Sequence, residues 1–383
     1  MKATGASRKK HFLYSFKWIY KLAHMIINDF LTTSNHDDDF NSSRAAQMQG
    51  RLQVLAAIYA VFGALWLFVD QRTLSAEMFL SIGFVRILMV AAFIVLAFSR
   101  TQRRALWAVR LRLFLMNLIP TVFFVTCERL LENESSEIAH LVYSYYPFVI
   151  VVQLAVFPLT IAEGFLLSLA PFVGMLYLAV VNDTVTDVRT LGEVILALLL
   201  VSLAIWAAVS QLRMLMYLYR QATRDPLTGL NNRRLLMDRL FEEEQRAKRS
   251  SQPLCLMMMD LDKFKRVNDT YGHHAGDQVL KRFAQIARKA IRATDVIGRY
   301  GGEEFVVVLP NTNAKMGLEV AERLRKQVEE DIILLEDGQE LSATVSIGFA
   351  EMVASESSGS MIERADVAMY KAKESGRNRI VSA

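Results

Sequence analysis

The sequence has only two cysteines among its 383 residues, and this scarcity excludes two classes of protein. Cys127 and Cys255 lie far apart in apolar stretches, so the chain has neither the cysteine pairs of a disulfide-stapled secreted domain nor the spacing of a zinc site. We interpret both as small buried hydrophobic residues.

Charged residues are also scarce in the first half of the chain, because several long stretches before about residue 213 contain almost none. Hydrophobic residues make up 53% of the chain, and about 20 apolar residues suffice for a helix to cross a bilayer. The pattern predicts an all-α membrane domain over residues 52–212. Its six helices are expected at about 52–69, 79–98, 109–127, 141–158, 159–181 and 194–212. The two segments around Phe157-Pro158 also fit one long kinked segment or a re-entrant hairpin.

The net charge of +5 does not indicate a nucleic-acid partner, because the basic residues flank apolar stretches instead of gathering on one domain. Arginines crowd the connection between the second and third predicted spans, whereas the connections after the third and fifth are mostly acidic. Positive residues stay in the cytoplasm. We therefore expect a multi-pass protein in a lipid bilayer, with both termini cytoplasmic and residues 1–51 as a loose cytoplasmic tail with one amphipathic stretch.

Two charged residues, Arg86 and Glu163, lie within or near apolar stretches. They favour either a ligand or ion site or, more simply, snorkelling or an interhelical pair. After the last span, residues 213–223 have near-heptad apolar spacing, which predicts a helix that leaves the membrane as a short coiled coil. A helix that merely crosses the headgroups has the same pattern. Asp225-Pro226 should end it, and Asn231 or Asn232 should cap the next helix.

Residues 224–383 read as a soluble α+β domain in which strands and helices alternate. A fully apolar strand ends in Asp260, with Asp262 just beyond it, and two further strands flank the bend "GGEE", Gly301 to Glu304. Carboxylates that converge from neighbouring strands suit a hard divalent cation shared with phosphates. Either element alone is as well explained by a polar strand end or a tight turn.

The domain resembles the GGDEF-type diguanylate cyclases, which condense two GTP molecules into cyclic di-GMP. The blocks that carry the resemblance are "RDPLTGLNNRR" (224–234), "MDLDKFKRVNDTYGHHAGD" (259–277), "RATD" (292–295), "RYGGEEF" (299–305), "SIGFA" (346–350) and "ADVAMYKAKESGRNRI" (365–380). The resemblance covers 224–383 and implies a mainly antiparallel central sheet flanked by helices, as in nucleotidyl cyclases.

The resemblance also implies roles for individual residues. Asp260, Glu303 and the Leu261 carbonyl would hold Mg²⁺, two ions per site, with Mn²⁺ as an alternative. Glu304 would assist the metal or deprotonate the attacking 3′-hydroxyl, and Lys265 would act with Glu303 and Glu304 in catalysis. The implied GTP-binding residues are Phe264, Lys265, Asn268, His273, Asp277, Gly301, Gly302, Lys373 and Arg377, among which Asn268 and Asp277 would read the guanine.

One GTP per domain requires two domains to face each other, so the resemblance implies a homodimer. "RATD" matches an R-x-x-D product-inhibition site, in which Arg292 and Asp295, with Arg323, would bind cyclic di-GMP. An ordinary surface salt bridge is the alternative. Lys263 departs from the family, in which an aromatic residue or histidine is frequent at this position.

Two other functions compete with an active cyclase. A degenerate domain of the family would bind cyclic di-GMP as a receptor, but Asp260, Gly301, Gly302, Glu303 and Glu304 are all present. A transporter with a regulatory domain is disfavoured because the spans have no clear internal repeat. The signal that the membrane domain receives is not encoded in any motif.

Overall fold

The computed structural model describes residues 30–33, 36–99, 105–132, 137–335, 338–353 and 356–383. The chain divides into two compact units, Met1–Tyr217 and Leu218–Ala383, each with its own hydrophobic core. Most of the predicted N-terminal tail, residues 1–29, lies outside the described residues.

The described part of the N-terminal unit is helical. Its elements are α1 (Asp38–Leu65), α2 (Leu67–Thr73), α3 (Ala76–Phe98), α4 (Leu106–Leu131), α5 (Glu137–Ser144), α6 (Tyr146–Val152), a 3₁₀ turn (Gln153–Val156), α7 (Ile161–Val181) and α8 (Val188–Thr223). Five helical stretches are long and apolar enough to cross a membrane: Asp38–Thr73, Ala76–Phe98, Leu106–Leu131, Ile161–Val181 and Val188–Thr223.

The predicted count of six spanning helices is therefore not confirmed. The fourth predicted span, 141–158, is broken at Tyr145 into α5 and α6 and ends in the 3₁₀ turn. Pro147 lies in the first turn of α6, where its missing N–H costs least. Pro158 then follows the turn. The two prolines explain why this apolar segment is not one continuous helix.

The first helix starts earlier than the predicted residue 52, because α1 begins at Asp38, within the predicted tail 1–51. This part of α1 carries a buried cation that sequence alone does not place. Arg44 is fully buried, donates from Nε to the Pro158 carbonyl oxygen at 2.8 Å, and forms an ion pair with Glu163. Glu163 also pairs with Arg110 at 2.6 Å, so it belongs to an interhelical ion cluster.

Arg86 lies in a second buried polar cluster. Its Nε donates to Asp70 Oδ2 at 2.5 Å, and neither side chain is exposed. The guanidinium also donates to the hydroxyls of Tyr143 at 2.6 Å and Tyr146 at 3.0 Å, while Tyr143 donates to Asp70 Oδ1 at 2.8 Å. The interhelical-pair interpretation of Arg86 is thus confirmed.

The C-terminal unit is an α+β domain, as predicted. Its helices are α9 (Arg233–Ser250), α10 (Phe264–Tyr271), α11 (His273–Ala290), α12 (Ala314–Glu329) and α13 (Ser358–Glu374). Its strands are β1 (Leu254–Leu261), β2 (Val296–Arg299), β3 (Glu304–Pro310), β4 (Ile332–Leu334), β5 (Glu340–Ser342), β6 (Val345–Glu351) and β7 (Ile380–Ser382).

Five strands form one sheet in the order β2-β3-β1-β6-β7, and β4 pairs with β5 in a small hairpin. The pairs in the large sheet are antiparallel except β6 with β7, which confirms the mainly antiparallel sheet. The apolar strand β1 is buried at every position because it lies in the middle of the sheet and has helices on both faces. The β4–β5 hairpin was not predicted, because its exposed residues have little apolar alternation.

Two local predictions are also resolved. Asn232, and not Asn231, caps α9, since its side chain accepts a hydrogen bond from the Leu235 N–H at 3.0 Å. Both cysteines are free and buried. Burial raises the pKa of the Cys255 thiol to about 12, so this residue stays protonated and behaves as a hydrophobic side chain.

The closest approach in the domain core is made by Gly348 on β6. A Cβ atom at this position would run into the backbone of α13, including Met369 Cα at 2.9 Å. We expect Gly348→Ala to lower the free energy of unfolding of fragment 218–383 by about 1–3 kcal/mol, because backbone cannot move aside as a side chain can. Urea unfolding followed by circular dichroism measures this change.

Gly359 in the first turn of α13 provides the matched control, because a Cβ there would meet only Ser357 Oγ at 3.7 Å. We expect Gly359→Ala to stabilise the fragment by up to about 1 kcal/mol, since alanine is the better helix former. Equal effects of the two substitutions would contradict the packing of β6 on α13.

Candidate active site

Carboxylates meet where β1 ends. Asp260 is opposite Glu304 in the β1–β3 register and opposite Ser346 in the β1–β6 register. The Leu261 N–H donates to the Glu303 carbonyl oxygen at 3.3 Å, so the backbone of the bend is attached to the end of β1. The sheet therefore brings Asp260, Glu303 and Glu304 together, as the strand pattern predicted.

Asp260 is a buried acid with one cationic neighbour. Its side chain is about 5% exposed and accepts from Lys373 Nζ of α13 at 2.7 Å. Burial raises the pKa of Asp260, the ammonium of Lys373 opposes that rise, and the charges of Glu304 and Asp262 add to it. Burial and the nearby Asp260 likewise raise the pKa of Glu303. The negative charge of this site is thus only partly compensated by Lys373.

The two glycines of the bend do different things. A Cβ at Gly301 would press on the carboxylate of Glu304, whereas one at Gly302 would meet nothing within 4 Å. Neither glycine has a positive φ angle. Gly301 is needed for close packing, and Gly302 leaves open space beside the backbone.

Arg299, which sequence analysis did not single out, holds this bend. Its Nε and Nη2 donate to the Gly302 carbonyl oxygen at 3.1 and 2.6 Å, and its Nη1 contacts both carboxylate oxygens of Asp225 at 3.2 and 3.1 Å. Asp225 also accepts from the N–H and hydroxyl of Thr228. Burial raises the pKa of Asp225, but the bonds from Thr228 and the charge of Arg299 outweigh it and lower the pKa overall.

The carboxylate of Asp262 holds neighbouring segments of the domain together, and none of its contacts marks it as a metal ligand. Its carboxylate accepts from the hydroxyls of Thr344 at 2.7 Å and Ser346 at 2.6 Å, and from the Asn378 N–H at 3.0 Å. Arg377 and Asn378 both have left-handed backbone conformations. Asp262 thereby fixes the turn between α13 and β7, at which the side chain of Arg377 is exposed.

The predicted guanine-binding residues lie on two consecutive helices. Asn268 of α10 packs directly on Gly276 of α11, where a Cβ would collide with the amide of Asn268 and lie 3.1 Å from Phe264 Cζ. Asp277 follows Gly276 and is half-buried. Gly272, with a φ of 81°, makes the sharp turn between the two helices. Asn268 therefore lies against the turn of α11 that carries Asp277.

The remaining predicted residues differ in exposure. Phe264 belongs to the domain core and is 7% exposed, so its first role is packing. Lys265 and His273 are exposed on α10 and α11, as is His274. Lys263 begins α10 in a left-handed conformation, with a φ of 55°.

The residues of the "RATD" segment form a compact turn. The Asp295 N–H donates to the Arg292 carbonyl oxygen at 3.1 Å, and Asp295 Oδ2 accepts from the Arg292 N–H at 2.8 Å. Arg323 of α12 donates to the Ala290 carbonyl oxygen at 2.6 Å. Burial raises the pKa of Asp295. The hydrogen bond from the Arg292 N–H and the charges of Arg292 and Arg323 oppose this rise. Asp295 Oδ1 is buried and has no hydrogen-bond partner in the part of the chain that the structure describes.

The carboxylates at the end of β1 are the candidate ligands for a metal ion. Across the described residues, no group of three or more histidine, cysteine, aspartate or glutamate side chains is arranged to hold a metal ion on its own. The buried carboxylate of Asp260 and the half-buried carboxylate of Glu303 do supply oxygen atoms, and their charges repel each other. That set fits a hard divalent cation that takes its other ligands from water and phosphate.

The fold and these carboxylates define an α+β domain with a candidate phosphate- and cation-binding edge. Residues 222–379 match the family model described as "Diguanylate cyclase, GGDEF domain". This part of the chain is a GGDEF domain.

Curated relatives match the same region. Diguanylate cyclase DgcP of Pseudomonas aeruginosa is 45% identical over 161 residues, which cover 42% of this chain and 24% of that protein. Diguanylate cyclase A of Treponema denticola is 43% identical over 168 residues, which cover 43% of this chain and 45% of that protein. The chain thus spans less than half the length of these curated relatives.

Among solved structures, the GGDEF domain of DgcB from Caulobacter crescentus, in complex with c-di-GMP, is 37% identical. The match covers 42% of this chain and 93% of that one, with a TM-score of 0.41. The active GGEEF domain of a diguanylate cyclase from Vibrio cholerae is 35% identical, covering 39% of this chain and 96% of that one, with a TM-score of 0.37.

The raised pKa of Glu303 makes a prediction about stability. A carboxyl whose pKa is raised by folding opposes folding when it is ionised, so its cost is full above the folded-state pKa and disappears as the pH falls through the raised range. We expect Glu303→Gln to raise the melting temperature of fragment 218–383 at pH 7.5 in the presence of a chelator. The gain should shrink towards zero in acid.

Glu244 provides a control of opposite sign. Burial raises its pKa, but hydrogen bonds from Lys248 and Ser358 outweigh burial and lower the pKa overall. Glu244→Gln should therefore lower the melting temperature at pH 7.5, where the ionised group stabilises the fold, and this loss should diminish in acid. A lower melting temperature for Glu303→Gln at pH 7.5 would contradict the electrostatics of the site.

Proposed function

We propose that the chain is a membrane-bound diguanylate cyclase that condenses two GTP molecules into cyclic di-GMP and releases two pyrophosphates. The observation that carries the proposal is the meeting of Asp260, Glu303 and Glu304 beside the open backbone at Gly302, in a domain of the GGDEF family. Relatives named as diguanylate cyclases over the same region support it.

The proposed chemistry needs a nucleophile, an electrophile and charge neutralisation. The 3′-oxygen of one GTP attacks the α-phosphorus of the other, the bond to pyrophosphate breaks, and the 3′-hydroxyl proton leaves to a carboxylate. Glu304 lies at the start of β3 next to Asp260 and is our candidate for that proton acceptor. The division of this role between Glu303 and Glu304 stays open.

Asp260 and Glu303, with the Leu261 carbonyl, are proposed to hold divalent metal, Mg²⁺ in two positions or Mn²⁺ in its place. The metal would supply positive charge to the phosphates when bound. Lys373 supports this assignment because it already neutralises Asp260 at 2.7 Å. A cation on Asp260 would free the Lys373 ammonium for a phosphate oxygen, alongside the exposed side chains of Lys265 and Arg377.

Guanine selection is assigned to Asn268 and Asp277. A carboxylate accepts the N–H donors of guanine, whereas adenine lacks the matching donors and would leave the acceptor unpaired. Gly276 lets the Asn268 amide lie directly on α11, one residue from Asp277. His273 is proposed to contact the substrate from the exposed start of α11.

One domain supplies one half of the reaction, so we propose that the enzyme acts as a homodimer with two-fold symmetry. Helix α8, which continues to Thr223, is the segment through which the N-terminal unit would set the encounter of two domains. Gln211 in this helix is held by Arg51 of α1 and donates to the Ala155 carbonyl oxygen in the 3₁₀ turn. A displacement of the 3₁₀ turn would therefore be transmitted to α8 through the hydrogen bond of Gln211.

The membrane location is proposed from the five long apolar helices, with the N-terminus and the catalytic domain cytoplasmic in the bacterial inner membrane. The broken segment α5–α6 is a candidate sixth crossing. Its Tyr143 contacts Asp70 in the middle of α2, while its final turn contacts Arg51 in the first half of α1. The two ends of the segment thus contact different levels of the α1–α2 stretch.

Product inhibition is proposed at Arg292, Asp295 and Arg323. Asp295 Oδ1, which has no hydrogen-bond partner among the described residues, is an acceptor suited to the N–H groups of a guanine. The exposed side chain of Arg292 suits phosphate or the guanine edge. Cyclic di-GMP supplies both groups.

The enzyme assay tests the central proposal. Purified chain with GTP and Mg²⁺ should release pyrophosphate and form cyclic di-GMP, and Glu304→Ala should lower the rate by at least about 100-fold because the acid at the reaction centre is lost. Glu319→Ala, an exposed acid on α12, is the control and should leave the rate unchanged. Tight binding of cyclic di-GMP without turnover would instead favour the receptor function.

Feedback is tested separately by the progress curve. Arg292→Ala should keep the initial rate and sustain it as product accumulates, because the proposed inhibitory contact is lost. The unmodified chain should slow under the same conditions. Inhibition by added cyclic di-GMP that is identical in both proteins would retire this site.

A further inference from the structure

The N-terminal unit contains a cavity of about 490 Å³ between α1, α3, α4 and the broken segment α5–α6. Its walls are rich in aromatic rings. These are Tyr59, Phe62, Trp66, Phe93, Tyr145 and Tyr146. The volume lies in the range of pockets that hold small molecules, and it is remote in the chain from every residue assigned to the cyclase reaction.

The cavity opens on an apolar part of the surface. Three of its lining side chains are also well exposed, Phe62 at 62%, Tyr145 at 55% and Val149 at 55%. If these helices cross a bilayer, as proposed above, the mouth faces lipid. A ligand would then enter from the membrane, which requires a lipophilic molecule.

The polar groups of the wall are hydrogen-bond donors. The Tyr146 hydroxyl accepts from Arg86 Nη1 at 3.0 Å, and within the described residues its own proton has no acceptor. An acceptor on the ligand would therefore be bound favourably here, because it would pair with the free proton of the Tyr146 hydroxyl.

The charge of Arg86 does not call for an anionic ligand. Its guanidinium already forms an ion pair with Asp70, and both side chains are fully buried. A neutral acceptor, such as a carbonyl oxygen, therefore matches the donors better than a carboxylate does. The aromatic walls favour a planar ring, which can pack face to face or edge to face against them.

We propose that this cavity binds a neutral, lipophilic ligand with a planar ring that carries a carbonyl oxygen. The ring packs between the aromatic walls, and the carbonyl oxygen accepts from the Tyr146 hydroxyl. An acyl chain would fill the same volume but would leave the Tyr146 proton unpaired.

Photolabelling with benzophenone tests the site directly, because this aromatic ketone forms a covalent bond with nearby C–H groups on irradiation. Full-length chain in phosphatidylcholine nanodiscs should be labelled in peptides that contain residues 58–66 and 142–150. Val149→Trp, which fills the mouth, should lower this labelling at least fivefold. Val173→Trp is the matched control, since Val173 is 58% exposed on α7 and does not line the cavity.

A competitor pair tests the carbonyl. Excess 9,10-anthraquinone should suppress the labelling about fivefold more effectively than anthracene, which has the same three rings without carbonyl oxygens. Tyr146→Phe should remove most of this preference, whereas Tyr177→Phe, an exposed tyrosine of α7, should keep it. Both competitors are compared on the unmodified chain, so the result does not depend on the folding of a variant.

Two outcomes would overturn the proposal. Labelling that is equal in Val149→Trp and Val173→Trp would exclude the cavity as the site. Equal competition by anthraquinone and anthracene would exclude recognition of a carbonyl oxygen. Neither measurement uses GTP, so its failure is distinguishable from a failure of the proposed cyclase function.

Discussion

The GGDEF domain is organised around one electrostatic constraint, the placement of acids at the buried end of the central strand. β1 has hydrogen-bonded neighbours on both sides and is buried along its length, so Asp260 has no exposed alternative. The register then puts Glu304 opposite it, and Glu303 is attached to the next residue. Such carboxylates are costly unless a cation compensates them, and Lys373 supplies one charge.

The surrounding contacts hold this arrangement in place. Arg299 ties the bend at Gly302 to Asp225, which follows the end of α8. Asp262 accepts from Asn378 in the turn after α13 and from Thr344 and Ser346 at the start of β6, so it ties this turn to the sheet, and α13 carries Lys373. Neither residue is assigned to substrate. Each stabilises a segment that carries a residue of the site, which explains how acids that repel one another stay together.

Much of this site was predictable from sequence, for a physical reason. A strand that is apolar throughout must be central, and acids directly after it must lie at the sheet edge, so Asp260 and the "GGEE" bend could be placed without coordinates. The partners of Arg299 and Asp262 could not. Apart from the bonds of Arg299 to Gly302, their hydrogen bonds join residues that are 74 to 116 positions apart in the chain, and no local pattern encodes such pairs.

In the N-terminal unit, too, local patterns were predictable from sequence and long-range contacts were not. Its long apolar helices were visible as hydropathy, and the interhelical pair of Arg86 was anticipated. The break at Tyr145 follows from Pro147, but the contacts of Tyr143 and Tyr146 with the buried pair of Asp70 and Arg86 were not predicted. Burying charges inside an apolar bundle costs free energy. Such residues therefore often mark functional positions.

The most direct test of the central claim is whether a cation completes the carboxylate site. Mn²⁺ binding, measured by electron paramagnetic resonance in the presence of a GTP analogue with a methylene bridge between the α- and β-phosphorus atoms, isolates this step from turnover. The account predicts that Glu303→Gln weakens Mn²⁺ binding at least about tenfold, while Glu319→Gln does not. Unchanged Mn²⁺ binding in Glu303→Gln would contradict it.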